Sequence, residues 1–499
     1  MKNTLEKFFK LEEHGTNLKT ETVAGLTTFF TMAYIIFVNP AMLSATGMPQ
    51  TAVFMATIIA SVIGTLVMAF YANVPFAQAP GMGLNAFFTY TVCFGLGFTW
   101  QQALAMVLIC GIVGIVITAT GLRAMLIKAL PDVLKSAIGG GIGLFLAYIG
   151  IKSCGLIKFS IDPGTWTAYN TDAFLAGSES ITADASAVPA LVNFSNPAVL
   201  VAVCGLFIIL ILMTMKIKGA ILIGIVATFV ISLLTIASGV SAHWFFSYLP
   251  EGSTIGDVFA TVNLSFSGVG SDITSISETA FKIDFAGLFS SPERIILSIA
   301  AIISFVLADI FDTIGTLIGA GKKSGIFSKE EMEMGSTKQD SRLNKALVAD
   351  LTATSVGALC GTSNVTTYVE SSSGIAEGGR TGLTSLVTAI MFLLCIPLVS
   401  VVGIIPSVAT APALIVVGVL MMGSVADIDW SDFSVAAVAF VTIAFMPFAY
   451  SITTGISAGF IVYVVLQIVK GNVRKVHPVM YLFTLLFIVN FIFLAVNNL

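Results

Sequence analysis

Runs of apolar residues about 20 positions long recur along nearly the whole chain, separated by short polar stretches. Each run can form a helix that crosses a hydrocarbon core of roughly 30 Å. The ten-residue alternation typical of membrane barrels does not occur. The pattern predicts fourteen spans, two of them short: 23–46, 51–71, 84–96, 100–121, 132–153, 197–216, 219–240, 293–320, 343–360, 371–379, 382–403, 409–426, 432–450 and 454–470.

The composition agrees with this pattern and indicates an all-α polytopic membrane protein. Of 499 residues, 57% are hydrophobic and 10% are charged, whereas a soluble domain has roughly a quarter of its residues charged. The net charge of −4 gives no sign of a nucleic-acid partner. Six scattered cysteines without a CxxC motif predict neither a disulfide framework nor a metal site. No cofactor is expected.

Basic residues predict how the spans are oriented. The connections after spans four, six and eight carry Lys and Arg, whereas the loops 154–196 and 241–291 carry few. Because positive loops stay inside, the polar N-terminal segment 1–22 is predicted to be cytoplasmic. It lacks the apolar core of a signal peptide. The apolar segment 478–497 follows span fourteen, and the sequence leaves open whether it crosses the membrane or lies on its surface.

The two halves of the chain are predicted to form an inverted repeat of seven plus seven spans. An odd number of spans separates equivalent positions, so the halves insert with opposite orientation. Both short spans follow stretches rich in small and hydroxyl residues, at 73–90 and 361–379. Interrupted helices at matching positions of two halves indicate a transporter's binding site near the middle of the membrane.

Two aspartates interrupt the eighth apolar span. Asp309 and Asp312 lie near its centre, where an ionised aspartate costs roughly 2.5–3.5 kcal/mol. At 100° per residue, Asp309, Thr313 and Thr316 fall within about 60° of one another on the helix. A structural acid, hydrogen-bonded in the bundle or paired with a buried base, is the alternative to a binding role. The span centres contain no Lys or Arg to neutralise these acids.

Further polar residues lie at the two interrupted helices. Glu370 is at the predicted start of the helix after 361–369, where free main-chain amides favour an anion or a polar ligand. It could instead cap its own helix. Asn85 is at the matching position in the first half, and either a helix–helix hydrogen bond or a ligand contact would explain it. Phe88 and Tyr368 lie nearby and offer the aromatic faces that a planar ligand needs.

Four motifs in order resemble one transporter family. The stretches TMAYIIFVNPAML (31–43), APGMGLNAFFTY (79–90), ADIFDTIGTLIG (308–319) and GTSNVTTYVESSSGIAEGGRTG (361–382) look like the AzgA-type adenine/guanine/hypoxanthine permeases. These form the purine branch of the second nucleobase–cation symporter family, which also holds uracil and xanthine permeases. The resemblance covers essentially the whole chain.

The resemblance implies the uracil-permease fold, with fourteen spans in two inverted repeats and a short strand before spans three and ten. It implies a core domain of spans 1–4 and 8–11 and a gate domain of spans 5–7 and 12–14. The resulting segments are a cytoplasmic N-terminus (1–22), a first core segment (23–121), a first gate segment (122–240), an extracellular loop (241–291), a second core segment (292–403) and a second gate segment (404–499).

The resemblance also implies the site residues. Asp309 and Glu370 match the carboxylates that hold the base in related permeases, and Asn85 and Asp312 match residues that matter for purine recognition. Thr313 stands where uracil permeases have a histidine, which puts a histidine-assisted proton relay in doubt. The predicted substrate-binding set is Asn85, Phe88, Asp309, Thr313, Tyr368 and Glu370, and the predicted proton-coupling set is Asp309, Asp312 and Glu370.

The function expected from these residues is proton-coupled uptake of purine bases across the cell (inner) membrane, by an elevator-type alternating-access mechanism and with H⁺ as the coupling ion. The expected partners are a purine base and membrane lipid, and a homodimer is left open. An anion exchanger or channel of the same fold is the alternative, although it would need a positively charged site. A membrane-embedded enzyme or receptor is a second alternative, but the sequence shows no nucleophile–base pair or soluble catalytic domain.

Overall fold

The protein is described by a computed structural model that is mostly helical. The structure describes residues 2–120, 129–160, 166–167, 182–183, 188–192, 194–246, 249–260, 266–327 and 341–496. Within these ranges, nine helices are long and apolar enough to cross a membrane. Each of the fourteen predicted spans overlaps a helix. The count of fourteen crossings stays a prediction, because several of these helices are short.

In the first half of the chain, the described residues form eleven α-helices, two of which continue into wider π-helical turns at Met68–Ala72 and Phe87–Gly95. The α-helices are α1 (Lys2–Phe9), α2 (Leu18–Met32), α3 (Ile35–Leu43), α4 (Gln50–Val67), α5 (Met82–Ala86), α6 (Trp100–Ala119), α7 (Asp132–Ser153), α8 (Pro197–Thr214), α9 (Ala220–Ala237), α10 (Ile255–Ala260) and α11 (Phe266–Thr274).

The second half begins with the longest helix that the structure describes. Its helices are α12 (Pro292–Ser324), α13 (Arg342–Cys360), α14 (Ser371–Ala376), α15 (Gly382–Leu393), α16 (Ser407–Met421), α17 (Phe433–Phe448), α18 (Ile452–Val469) and α19 (Pro478–Val496). The apolar segment 478–497 therefore forms a helix, α19, which packs against α18 and α12. Whether α19 crosses the membrane stays a prediction.

Two three-residue strands pair at the centre of the helices. Strand β1 (Gln78–Pro80) runs antiparallel to β6 (Val365–Thr367), with Ala79 opposite Thr366. The β-branched residues of β6 favour an extended backbone, and Pro80 ends β1 because it has no N–H to donate. The strands lie where the resemblance places them, directly before α5 and α14. Four more short strands, which the sequence analysis did not predict, pair in the loop after α7: β2 (Ile157–Ser160), β3 (Trp166–Thr167), β4 (Thr182–Ala183) and β5 (Val188–Leu191).

The long helices pack in two groups. The first helix group consists of α2, α4, α6, α12, α13 and α15, and the β1–β6 pair with α5 and α14 packs against it. The second helix group consists of α7, α8, α9, α16, α17 and α18. The groups meet where α2, α3, α5 and α12 contact α7, α9, α16 and α18. The assignment of core and gate functions to such groups stays a prediction.

Close helix packing within the second group depends on paired glycines. A Cβ atom at Gly143 of α7 would lie 2.7 Å from the carbonyl oxygen of Gly418 in α16, and a Cβ at Gly418 would lie 2.5 Å from that of Gly143. Side chains at either position would push the two backbones apart. Membrane helices use such small-residue contacts because lipid tails supply no hydrophobic force between them.

Candidate functional site

The strand pair brings the starts of two short helices to one cavity. Helix α5 begins after Gly81, whose main-chain N–H donates to the carbonyl of Asn364 at 2.9 Å. Helix α14 begins after Glu370, and the nearby Tyr368 N–H donates to the carbonyl of Ala77 at 3.0 Å. These bonds extend the β1–β6 pairing at both ends. The first residues of α5, Met82 and Gly83, line the cavity, whereas the first amides of α14 donate to the carbonyls of Tyr368, Val369 and Glu370.

A cavity of about 60 Å³ lies between the two helix groups. Its walls come from the turn between α2 and α3, the start of α5, β6 with the stretch 368–370 that precedes α14, α12 and α16. The lining residues are Tyr34, Gly81, Met82, Gly83, Asp312, Thr316, Thr366, Thr367, Tyr368, Val369, Glu370, Val417 and Met421. Two acids, two tyrosines and several hydroxyl groups thus face one small space, and no Lys or Arg is among these described lining residues.

Hydrogen bonds hold the polar groups of this cavity in place. The Tyr34 hydroxyl donates to Glu370 Oε1 at 2.7 Å. The Thr366 hydroxyl donates to Asp312 Oδ2 at 3.3 Å. The Tyr368 hydroxyl donates to the carbonyl of Pro80 at 2.6 Å, which fixes its ring beside the strand pair. The cavity can therefore offer carboxylate acceptors and main-chain donors to a polar, uncharged ligand.

The structure places Asp309 on a different face of α12 from this cavity. Asp309 is 1% exposed and is absent from the cavity lining. It lies within electrostatic range of Cys110 in α6, on the side where Phe305 packs on Phe87 with ring centroids 4.4 Å apart. Asp312, in contrast, reaches the strand pair through Thr366 of β6.

Thr313 contacts a buried acid that the sequence analysis missed. Its hydroxyl donates to Asp350 Oδ2 at 2.7 Å. Asp350 Oδ1 accepts from the main-chain N–H of Thr367 at 2.8 Å and from its hydroxyl at 2.7 Å. Asp350, on α13, thereby ties α12 to β6. Asp309 was singled out because an acid within an apolar span is costly. The same signal is present at Asp350 in the span 343–360 and could have identified that residue.

Asn85 and Phe88 are fully buried behind the cavity. Asn85 Oδ1 accepts a hydrogen bond from the Ser363 hydroxyl, so it links α5 to the stretch before β6. Phe88 is 0% exposed, and neither residue lines the cavity. Of the predicted site residues, the structure brings Asp312, Tyr368 and Glu370 to the cavity. Asn85, Phe88, Asp309 and Thr313 lie in the packing around it, and their roles in binding or coupling stay predictions.

A second, larger cavity of about 370 Å³ reaches the same glutamate from one side. Val369 and Glu370 line both cavities. The outer wall of the larger cavity consists of residues 216–221, between α8 and α9, and contains Lys216 and Lys218. The basic residues predict that this side is cytoplasmic. Lys218 Nζ also donates to the Glu377 carboxylate and so joins the second helix group to the first.

An aromatic cluster joins the two helix groups away from this cavity. The Tyr450 ring lies 5.6 Å from Tyr90 and 5.5 Å from Phe145, measured between centroids. Lys152 Nζ lies 4.7 Å from the centroid of the Tyr450 ring. Lys152 is near the end of α7, which the predicted orientation places outside. These contacts join the two helix groups, and the predicted orientation places them on the side opposite to residues 216–221.

The polar groups at the cavity are carboxyls, phenols, hydroxyls and main-chain amides. This set of donors and acceptors suits an organic ligand and protons. Among the residues that the structure describes, no three His, Cys, Asp or Glu side chains are grouped so that they could hold a metal ion.

The fold and this site define a polytopic membrane protein of the transporter class, with a polar cavity between two packed helix groups. Residues 19–458 match the Permease family Xan_ur_permease, and the chain belongs to that family. The family is one of permeases, not of enzymes.

Similar proteins extend over almost the whole chain. Guanine/hypoxanthine permease PbuO of Bacillus subtilis is 39% identical over 96% of this chain and 99% of its own length. Adenine permease AdeP of Escherichia coli is 36% identical over 98% of this chain and 96% of its own length. Guanine/hypoxanthine permease PbuG of Bacillus subtilis is 36% identical over 98% of this chain and its entire length. The resemblance to purine permeases that the four motifs predicted is confirmed.

Solved structures share the fold at low identity. The transmembrane domain of the cyanobacterial bicarbonate transporter BicA has a TM-score of 0.58 at 17% identity, covering 88% of this chain and 97% of that domain. SLC26A9 has a TM-score of 0.57 at 11% identity, covering 91% of this chain and 65% of that protein. At these identities the likeness concerns the fold alone.

Proposed function

We propose that the protein takes up purine nucleobases, hypoxanthine, guanine or adenine, across the cytoplasmic membrane by proton-coupled secondary transport. The observation that carries this proposal is the pair of carboxylates, Asp312 and Glu370, facing one cavity between the starts of two short helices. The similarity to guanine/hypoxanthine and adenine permeases supports a purine as the ligand.

The chemistry of the cavity suits a flat, uncharged ring with donors and acceptors. Glu370 and Asp312 accept hydrogen bonds from ring N–H groups or an exocyclic amine. The first main-chain amides of α5, at Met82 and Gly83, donate to a carbonyl oxygen or a ring nitrogen. Tyr34 and Tyr368, whose ring centroids lie 6.5 Å apart, offer aromatic surface. Asp309 was predicted to hold the base together with Glu370, but the geometry favours Asp312 for direct contact with the base.

The size of the cavity favours a mechanism in which the helix groups move. Ligand pockets usually measure roughly 300–1,000 Å³, well above the 60 Å³ found here. Val417 and Met421 of α16 form the wall that belongs to the second helix group. A base would fit into this smaller cavity only if the groups separated at this wall. An elevator-type movement of the first group against the second would carry the base from one side to the other.

The carboxylates supply the sites for the coupling proton. An ionised acid is costly in apolar surroundings, so protonation from outside and release inside would accompany movement of the base. One proton yields about 2.3 kcal/mol per 100 mV, enough for roughly 50-fold accumulation of a neutral base. Asp312 and Glu370 are the acids that line the cavity, and Glu370 also lines its larger neighbour. A coupling role for Asp309 stays a prediction.

The basic loop at 216–221 supports a cytoplasmic position for the larger cavity. The described conformation would then be open toward the cytoplasm and closed outside by the Tyr450 cluster. The N-terminus would be cytoplasmic, as the basic loops predict, and the inner membrane the location. A homodimer stays a prediction.

An anion exchanger of the same fold is the rival function, since BicA and SLC26A9 share the fold. The cavity argues against it. An anion needs positive charge or an excess of donors, whereas this cavity contains two acids, and its described lining contains no basic side chain.

The test is uptake of radiolabelled hypoxanthine by proteoliposomes with an imposed pH gradient. We expect accumulation that an uncoupler abolishes and that unlabelled guanine or adenine inhibits more strongly than uracil. Liposomes without protein are the control. Accumulation of sulfate or bicarbonate, with no purine uptake, would establish the rival function. Purine uptake that requires a Na⁺ gradient and is unaffected by the uncoupler would disprove proton coupling.

A further inference from the structure

Tyr34 lies at a break in the first membrane span. Helix α2 ends at Met32 and α3 begins at Ile35. Between them the backbone tightens, because the N–H groups of Ile36 and Phe37 donate to carbonyls only three residues back. Pro40, one turn later, cannot donate to the Ile36 carbonyl and so weakens the helix there. The break places the side chain of Tyr34 at the cavity rather than along a regular helix face.

The Tyr34 hydroxyl makes a close contact with the Glu370 carboxylate, at 2.7 Å from Oε1. Tyr34 is 1% exposed, whereas Glu370 is partly exposed. Glu370 lines both cavities, and in the described residues its carboxylate accepts from no side chain other than Tyr34. Tyr34 thus holds one oxygen, Oε1, and the carboxylate lies at the wall of both cavities, where a ligand can reach it.

Close packing of α14 on α2 keeps Tyr34 and Glu370 next to each other. A Cβ atom at Gly374 would lie 2.1 Å from Thr28 Oγ1 and 2.5 Å from the carbonyl oxygen of Ala24. The two helices therefore touch backbone to backbone only a few residues from Tyr34 and Glu370. Because both residues belong to this tightly packed unit, their hydrogen bond can persist while the second helix group moves.

We propose that Tyr34 is a positioning residue that holds the Glu370 carboxylate with one oxygen directed at the purine. This inference rests on the proposed function and adds a residue to its site. A phenol is suited to the task because its hydroxyl can donate to a carboxylate and can also accept from a protonated acid. Tyr34 therefore keeps Glu370 in one orientation both before and after proton transfer.

The experiment is Tyr34→Phe, which removes the hydroxyl and keeps the ring. Hydrogen bonds to charged groups are among the stronger ones in proteins, so we expect KM for hypoxanthine uptake to rise about tenfold, with the maximal rate changed less than twofold. Tyr463→Phe, a tyrosine of α18 outside both cavities, is the matched control and should leave both constants unchanged. A lower maximal rate at unchanged KM would overturn the positioning role.

A double-mutant cycle separates this inference from the proposed function. Hypoxanthine affinity of the purified full-length protein is measured for wild type, Tyr34→Phe, Glu370→Ala and the double variant. If Tyr34 acts through Glu370, its substitution costs about tenfold in wild type and less than twofold in the Glu370→Ala background, which has no side-chain acceptor for the hydroxyl. Equal losses in both backgrounds would overturn the inference and leave the proposed function standing. Unchanged affinity in Glu370→Ala would refute the role of Glu370 itself.

Discussion

Asp350 and Thr367 are joined by two hydrogen bonds to one carboxylate oxygen. Asp350 Oδ1 accepts from the main-chain N–H of Thr367 at 2.8 Å and from its hydroxyl at 2.7 Å. The Thr367 N–H lies in β6, so α13 supplies a buried acceptor for the strand that positions the site. The other oxygen accepts from Thr313 on α12. A buried carboxylate that accepts these three bonds is thus the junction between a long helix and the strand pair.

Asp350→Asn should destabilise this junction. The amide group can accept through only one oxygen, so at least one of the three donors loses its acceptor. Loss of a buried hydrogen bond to a charged group costs roughly 1.5–3 kcal/mol. We expect a lower unfolding temperature in detergent and reduced purine uptake. Asp427→Asn, at an exposed position, is the control. An unchanged unfolding temperature for Asp350→Asn would contradict the structural role.

Asp312→Asn and Glu370→Gln should each abolish most purine uptake. Both side chains line the cavity. Both changes replace a negatively charged hydrogen-bond acceptor with a neutral amide of the same size. We expect uptake to fall at least about a hundredfold, since a ligand N–H then faces an amide that accepts less strongly. Initial rates between about pH 5.5 and 8 would also show whether the remaining uptake has lost its dependence on the proton gradient.

Asp309→Asn is the informative comparison for this pair, because Asp309 lies on α12 but does not line the cavity. If it leaves uptake and its pH dependence unchanged, the predicted proton-coupling role of Asp309 is wrong. If it removes the pH dependence while purine affinity is retained, Asp309 carries the proton and Asp312 holds the base.

The Lys218–Glu377 ion pair should favour the conformation described here. It joins the two helix groups beside the larger cavity, and both side chains are partly exposed. Exposed pairs contribute about 0–1 kcal/mol and like charges repel by a similar amount, so Lys218→Glu should shift the balance of conformations by no more than about thirtyfold. We expect a cysteine introduced next to Tyr450, in its cluster with Tyr90 and Phe145, to react faster with a thiol reagent added from outside.

The charge-exchanged variant Lys218→Glu/Glu377→Lys restores the attraction and should return the labelling rate to that of the wild type. Equal labelling rates in the single, the double and the wild-type proteins would show that the pair has no influence on access.

Gly374→Ala should disrupt the packing of α14 on α2. The added Cβ would approach the Ala24 carbonyl oxygen to 2.5 Å, and a backbone atom cannot move aside as a flexible side chain can. We expect the start of α14, with Glu370, to shift, so that purine affinity falls at least about tenfold. Gly315→Ala on α12 is the matched control, since nothing lies within 4 Å of its Cβ position. Equal affinities for the two variants would refute this prediction.

The sequence by itself determined the class of the protein, the positions of the interrupted helices and the acids worth testing. These follow from local properties. An apolar run of sufficient length predicts a span wherever it occurs, and Asp312 or Glu370 in such a run is costly whatever surrounds it. The β-branched stretch at 365–367 likewise forms its strand where the resemblance placed it.

Only the tertiary structure decided which of these groups share a cavity. Asp309 and Asp312 lie about 60° apart on one helix, so helical periodicity puts them on neighbouring faces without indicating which face meets the strand pair. The packing of α12 against β6 and α14 turns Asp312 toward Glu370 and leaves Asp309 near α6. Tyr34 is 336 positions from Glu370 in sequence. Their contact exists because the fold brings the first span against the tenth, and no local pattern encodes such a contact.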